Sequence, residues 1–123
     1  MVYVAVVLTE NSKEKIIKKF SEFIPEDWEI IAHHMTMYMG KIKTSDKNLL
    51  GQYVTMTVNF IGKDNFVIAL GVTPWEVTSD NKMPHITLAV NRKIGGKPVM
   101  SNKLNKWAII EEPFIVRGIV SQE

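Results

Sequence analysis

The chain contains no cysteine. Disulfides, thiolate metal ligands and cysteine nucleophiles are therefore excluded together. The absence of cysteine is typical of proteins from a reducing compartment, and we expect a cytoplasmic location.

Long apolar runs are missing as well. No segment has 18 consecutive apolar residues, which is about the length that a membrane-spanning helix needs. The apolar run at residues 2–8 is short, has no basic segment before it and is soon followed by Glu10, unlike a signal peptide. We expect a monomer without a leader segment or a membrane partner.

Strong charge of either sign is also absent. Fifteen basic and thirteen acidic residues leave a net charge of +2, which permits an anionic ligand. A protein that binds duplexes nonspecifically usually has a denser basic stripe. The length of 123 residues and the 46% hydrophobic content indicate one folded domain over residues 1–123.

The apolar pattern predicts one helix and about six strands. Asn11 and Glu14 have the spacing of a capping box, so Asn11 is the expected N-cap of a helix that ends before Pro25. Short connections between the strands favour an α+β class with mainly antiparallel sheet. The strands are predicted over residues 2–8, 30–39, 53–60, 66–72, 85–90 and 114–120, with a short helical turn within residues 101–107.

Two segments share the pattern His, apolar, Thr, apolar: His34 to Met37 and His85 to Leu88. Both lie in predicted strands, where alternate side chains point to the same face. Each segment therefore presents one imidazole and one hydroxyl on one face. Two copies, one in each half of the chain, are difficult to explain as sheet packing alone.

The residue types suit the hydrolysis of a phosphodiester. A base must activate water and an acid must protonate the leaving sugar oxygen, and histidine serves either role near neutral pH. Thr36 and Thr87 have hydroxyls that could donate hydrogen bonds to the non-bridging phosphate oxygens. Two imidazoles on opposite sides of one phosphorus would support in-line attack without a metal.

The paired strands resemble the two-histidine (2H, LigT-like) phosphoesterase superfamily, and the resemblance covers most of the chain. It implies a two-lobed α+β domain with approximate internal two-fold symmetry and a central groove between the motif strands. It also implies His34 and His85 as catalytic acid and base, and Thr36 and Thr87 as phosphate-binding residues. The expected substrate is a nucleotide or RNA end with a 2′,3′-cyclic phosphate, or a related cyclic or 2′–5′ oligonucleotide, without a cofactor. At 123 residues the chain is short for this superfamily, which bears on the substrate class.

Other side chains near the motifs have more than one interpretation. In the first motif strand, Met35, Met37 and Met39 share the face expected to pack in the core. On the other face, Tyr38 could stack on a base. Tyr53 and Trp75 are further candidates for contacts with a base or the groove, although Trp75 could equally pack in the core. Trp28 and Trp107 are assigned to the core.

A metal site is not expected. His33 should point away from His34 because neighbouring strand residues face opposite sides, and no acidic residue stands near either motif. The alternative to an enzyme is a module that binds RNA or nucleotides in the same groove without turnover. A bell-shaped dependence of rate on pH would distinguish the enzyme.

Overall fold

A computed structural model describes all residues, 1–123, and the predicted α+β class with antiparallel sheet is confirmed. Six strands close into a ring in the order β6-β3-β1-β7-β4-β5, and the short β2 extends one side of β6. No helix has the length and apolar character needed to cross a membrane. The elements are β1 (Tyr3–Leu8), α1 (Glu10–Phe20), β2 (Glu29–Ile30), β3 (His34–Met39), β4 (Tyr53–Lys63), β5 (Val67–Pro74), β6 (His85–Val90) and β7 (Trp107–Gln122).

The inner face of the ring holds the hydrophobic core. Val4 and Val6 of β1, Met35 of β3 and Ile86 and Leu88 of β6 belong to this cluster, and all five are fully buried. Helix α1 adds Ile16 and Phe20 to the same cluster. The apolar members of both sequence motifs therefore anchor their strands in the core.

The helix begins earlier than the sequence pattern predicts. Thr9, not Asn11, is the N-cap, and its side-chain hydroxyl accepts a hydrogen bond from the backbone N–H of Ser12 at 3.2 Å. Thr9 is extended, with φ of −65° and ψ of 156°, as an N-cap residue usually is. Several residue types can cap a helix, and the end of β1 at Leu8 decides which of them does so here.

The first motif strand also departs from simple alternation. Tyr38 is 7% exposed and joins the core, whereas Met39 is 58% exposed. The cause is a shift of register, because Ala5 of β1 pairs with Thr36 while its neighbour Val4 pairs with Tyr38. The extra residue is a β-bulge, and it exchanges the faces of the residues that follow it. The prediction that Met39 packs in the core is therefore wrong.

The C-terminal part of the chain is also more extended than predicted. The short helical segment is a 3₁₀ segment at Pro98–Lys103, and β7 already begins at Trp107. Trp107 is only half-buried and is not a member of the core cluster, so its assignment to the core is wrong. Trp28 packs against the core cluster as predicted.

Gly118 allows the closest approach within the sheet. A Cβ atom at Gly118 would lie 2.5 Å from Val6 Cγ1 and 2.7 Å from the carbonyl oxygen of Val7. We predict that Gly118→Ala lowers the free energy of unfolding by about 1–3 kcal/mol, the usual cost of overpacking a core. Urea denaturation measures this loss. The control is Arg117→Ala at the adjacent exposed position, where a change within about 0.5 kcal/mol is expected. Equal stabilities of the two variants would contradict the close packing of Gly118 against Val6 and Val7.

Candidate active site

A cavity of about 550 Å³ lies over β3 and β6. His34 and Thr36 line it from β3, and His85 and Thr87 line it from β6. The structure therefore brings together the four polar residues of the two motifs. Further lining residues come from the N-terminus, from the loop before β6 and from the Pro98–Lys103 segment: Met1, Tyr3, Asp80, Asn81, Pro98, Val99 and Asn102.

The pairing of β3 with β6 explains this convergence. Met35 lies opposite Ile86 in an antiparallel pair, and both side chains are fully buried in the core. The chain neighbours of these two residues are turned to the other face of the sheet because alternate strand residues face opposite sides. Histidine and threonine from both strands consequently meet on the outer face, above the core.

His33 lies on the same cavity, which contradicts the prediction that it points away from His34. Ile30 of β2 pairs with Ala89 and Met35 of β3 pairs with Ile86, so five steps along the chain from β2 to β3 match three steps along β6. The two extra residues form a bulge around Ala32, which has a φ of 40°. Bulges re-aim side chains, and the alternation that would separate the two histidines is lost here.

The two adjacent imidazoles are in direct contact. Nδ1 of His33 lies 2.9 Å from Nδ1 of His34, so one of these nitrogens is protonated and donates a hydrogen bond to the other. The ring of Tyr3 lies on His34 as well, with ring centroids 5.2 Å apart. His34 is therefore held by contacts to its ring and to one nitrogen, which leaves Nε2 for a ligand.

The second motif histidine is fixed by the backbone. Nδ1 of His85 lies 2.8 Å from the carbonyl oxygen of Met83. A carbonyl only accepts hydrogen bonds, so Nδ1 carries the proton and Nε2 is free to accept or donate one. The ring of Trp107 lies beside this imidazole with a centroid distance of 6.3 Å.

The Thr87 hydroxyl belongs to a small buried network. Its Oγ1 lies 2.8 Å from Oγ of Ser101 and donates to the carbonyl oxygen of Pro98 at 3.3 Å. Ser101 is 1% exposed, so its hydroxyl has little access to water. If Ser101 donates its proton to Thr87, the single proton of Thr87 bonds the Pro98 carbonyl, and it would have to turn from that carbonyl to a ligand in the cavity. Thr36 differs from Thr87, because its hydrogen bond is made by the backbone. The carbonyl oxygen of Thr36 accepts a hydrogen bond from Ser79 Oγ at 2.7 Å.

Burial lowers the pKa of both motif histidines. The pKa of His34 falls to about 4 because burial disfavours the charged ring, and the neighbouring His33 lowers it further. The pKa of His85 is also lowered by burial, but the hydrogen bond to the Met83 carbonyl opposes that effect. Both rings are thus mainly neutral at pH 7 in the free protein, and His34 is the more difficult of the two to protonate.

The three aromatic candidates have different positions. Tyr38 lines the cavity, although its hydroxyl donates to Asp46 at 2.8 Å and the Lys43 ammonium lies 4.5 Å from its ring centroid. Tyr53 and Trp75 do not line this cavity, and they are 64% and 58% exposed. Nε1 of Trp75 donates instead to Thr57 Oγ1 at 2.8 Å.

Tyr3 and Asp80 are among the lining residues that were not predicted from the sequence. Tyr3 is only partly buried and precedes the core residues Val4 and Val6 in the apolar strand β1, so strand alternation was the only signal in the sequence that its ring faces away from the core. Asp80 lies in the loop before β6, and its backbone N–H donates to the Met37 carbonyl oxygen at 2.7 Å. The expectation of no acidic residue near the motifs is therefore wrong. The side chains of the chain nevertheless form no group of three or more His, Asp or Glu residues suited to a metal ion.

Comparisons with known proteins add no relative. Neither a scan of protein-family models nor a search of the curated proteins found a match to this chain.

Proposed function

We propose that this chain is a metal-independent phosphodiesterase of the two-histidine type that hydrolyses a cyclic phosphodiester. The single observation that carries the proposal is the convergence of His34, Thr36, His85 and Thr87 on one cavity. A binding module has little need of two titratable rings directed into the same space. The proposed substrate is a nucleotide or RNA end with a 2′,3′-cyclic phosphate, or a related cyclic or 2′–5′ oligonucleotide.

Membership of the two-histidine superfamily is part of this proposal. It is supported by the motif strands β3 and β6, which are neighbours in the closed sheet and turn their histidines and threonines to one cavity. The superfamily implies in addition an approximate two-fold relation between the halves of the domain, with one motif strand in each half and the groove between them.

The lowered pKa favours His34 as the base. The pKa of His34, about 4, keeps its ring neutral near pH 7. If its Nδ1–H donates to Nδ1 of His33, then Nε2 has a free lone pair. Nε2 would take a proton from water while the water oxygen attacks phosphorus.

His85 then serves as the acid. The Met83 carbonyl accepts the Nδ1–H of His85 and so stabilises its protonated form. As the bond between phosphorus and the sugar oxygen breaks, Nε2–H protonates that oxygen. Turnover leaves His34 protonated and His85 neutral, and exchange with solvent restores both. His34 regains its starting tautomer when the proton on Nε2 leaves to solvent, while its Nδ1–H remains bonded to the exposed His33.

The threonines would stabilise the charge of the transition state. Negative charge grows on the non-bridging oxygens as water attacks, and hydroxyl donors placed beforehand lower the cost of that charge. Thr87 is the better fixed of the two, because Ser101 is bonded to its hydroxyl. A bound phosphate is itself an anion, so it would raise the pKa of both nearby imidazoles.

The dependence of rate on pH tests this mechanism. Because one ring must be neutral and the other protonated, kcat/KM should follow a bell whose maximum lies between about pH 4 and 6.5. The rate falls at higher pH as the acid loses its proton, and at lower pH as the base gains one. The kcat profile should lie at higher pH than the kcat/KM profile, because kcat reports the substrate complex.

The measurement uses a cyclic-phosphate substrate, with the fold checked by circular dichroism at each pH. A rate that is flat over this range would contradict acid–base catalysis by two histidines. Binding without product at any pH would instead support the non-catalytic module.

A further inference from the structure

A second cavity, of about 380 Å³, adjoins the first at His85. Asn81, His85 and Asn102 line both cavities. A single molecule could therefore place one group in the second cavity and a phosphate at His85. The residues found in the second cavity alone are Lys82, Met83, Ser101, Leu104, Asn105 and Trp107.

Trp107 provides a fixed aromatic surface in this cavity. The indole packs against β4 at Gly62, where an added Cβ atom would lie 2.9 Å from Cε3 of the ring. The absence of a side chain at Gly62 thus allows the ring to lie directly on the backbone. A rigid ring loses little conformational entropy when a ligand stacks on it, and every nucleobase has a face suited to stacking.

Apart from Trp107, Met83 and Leu104, the lining residues are polar or charged. Only three of the nine lining residues are hydrophobic, which is unusual for a site that binds an apolar ligand. Asn81, Asn102 and Asn105 each offer a carbonyl acceptor and an amide donor, the groups that read the edge of a base. Lys82 adds an exposed positive charge at the same place.

We propose that the second cavity binds a nucleobase, so that the preferred substrate has a nucleoside on each side of the phosphate. This inference rests on the proposed function, because it takes the phosphate to lie between His34 and His85. A cyclic mononucleotide would fill only one of the two cavities. A cyclic dinucleotide, a 2′–5′ dinucleotide or an RNA end with its penultimate nucleotide would fill both, with one base on Trp107.

The first test uses nucleosides without phosphate, observed by NMR of the ¹⁵N-labelled protein. Adenosine and uridine should shift the indole N–H signal of Trp107 and the side-chain amide signal of Asn105. Inorganic phosphate should shift signals of His34, Thr36 and Thr87 instead. Nucleosides that leave the second cavity unperturbed, or shift only signals around Tyr3, would overturn the inference. The phosphate titration is a separate experiment. Failure of phosphate to bind at the two motifs would count against the proposed function, whereas failure of nucleosides to bind would count only against the second cavity.

The second test compares binding of the deoxydinucleotide d(ApA) with binding of dAMP. The wild-type protein should bind d(ApA) more tightly. Trp107→Leu should raise the Kd of d(ApA) roughly 5- to 150-fold, the range for loss of one stacked base, and leave the Kd of inorganic phosphate unchanged. Asn105→Ala should raise the Kd of d(ApA) about 2- to 10-fold, as expected for one lost hydrogen bond.

Asn105 is exposed and lies between the Pro98–Lys103 segment and β7, so Asn105→Ala should not disturb the fold. This variant keeps the test valid even if Trp107→Leu fails to fold. Trp75→Leu is the matched control, because Trp75 is an exposed tryptophan outside both cavities. Unchanged affinity for d(ApA) in Asn105→Ala, or an equal loss in Trp75→Leu and Trp107→Leu, would overturn the inference.

Discussion

Replacement of either motif histidine by alanine is expected to lower kcat by about 10²- to 10⁴-fold, the usual contribution of one positioned acid or base. His34→Ala removes the proposed base and His85→Ala removes the proposed acid. The two losses should not add in the double variant, because either change alone stops the concerted proton transfer. Steady-state kinetics at the pH optimum, with the same cyclic-phosphate substrate throughout, measures all three effects.

Tyr53→Ala is the control for these variants. Tyr53 was a candidate contact in the sequence, yet it is 64% exposed and outside the cavity, so its removal should leave kcat unchanged. Thermal unfolding establishes that each variant is folded at the assay temperature. Folded His34→Ala and His85→Ala proteins that retain wild-type turnover would contradict the assignment of the acid–base pair.

Loss of the Thr87 hydroxyl should have the next largest effect. Thr87→Val keeps the shape of the side chain but removes the proton that would bond a non-bridging oxygen. We expect kcat to fall about 10²- to 10³-fold, as when one donor to a developing oxyanion is removed. The variant also removes a partner of the Ser101 hydroxyl, which is 1% exposed, so a stability loss of about 1–3 kcal/mol should accompany it.

The conservative change Thr87→Ser separates the two roles of this residue. Serine keeps the hydroxyl, so most of the activity should return even if the loss of the methyl group reduces stability. Turnover of Thr87→Val within about twofold of wild type would show that the hydroxyl does not contact the reacting phosphate.

The sequence predicts the features of this fold that depend on local pattern. The strand that contains His85 has the same bounds in the sequence prediction and in the structure, because apolar alternation there is uninterrupted. The paired strands β4 and β5 were foreseen from the turn residues between them. Convergence of the two motifs follows from the pairing of β3 with β6. The resemblance implied that the motif strands meet at a groove, but neither it nor the sequence pattern specified this pairing.

The errors arise where a distant strand decides the geometry. The bulge around Ala32 and the one before Tyr38 depend on register with β6 and β1, and no local pattern specifies either. Strict alternation therefore misplaced His33 and Met39. The contact of Ser101 with Thr87 and that of Trp107 with Gly62 likewise join segments far apart in the chain.

The most direct test of the central claim is turnover in the presence of EDTA, with products separated by chromatography. The panel consists of 2′,3′-cyclic nucleotides, RNA with a cyclic-phosphate end, 2′–5′ oligoadenylate and cyclic dinucleotides. We predict metal-free cleavage of at least one member, lost in both His34→Ala and His85→Ala, with the position of the product phosphate identifying the broken bond. Failure of the folded protein to cleave any member, or cleavage that persists without the two histidines, would contradict a two-histidine phosphodiesterase.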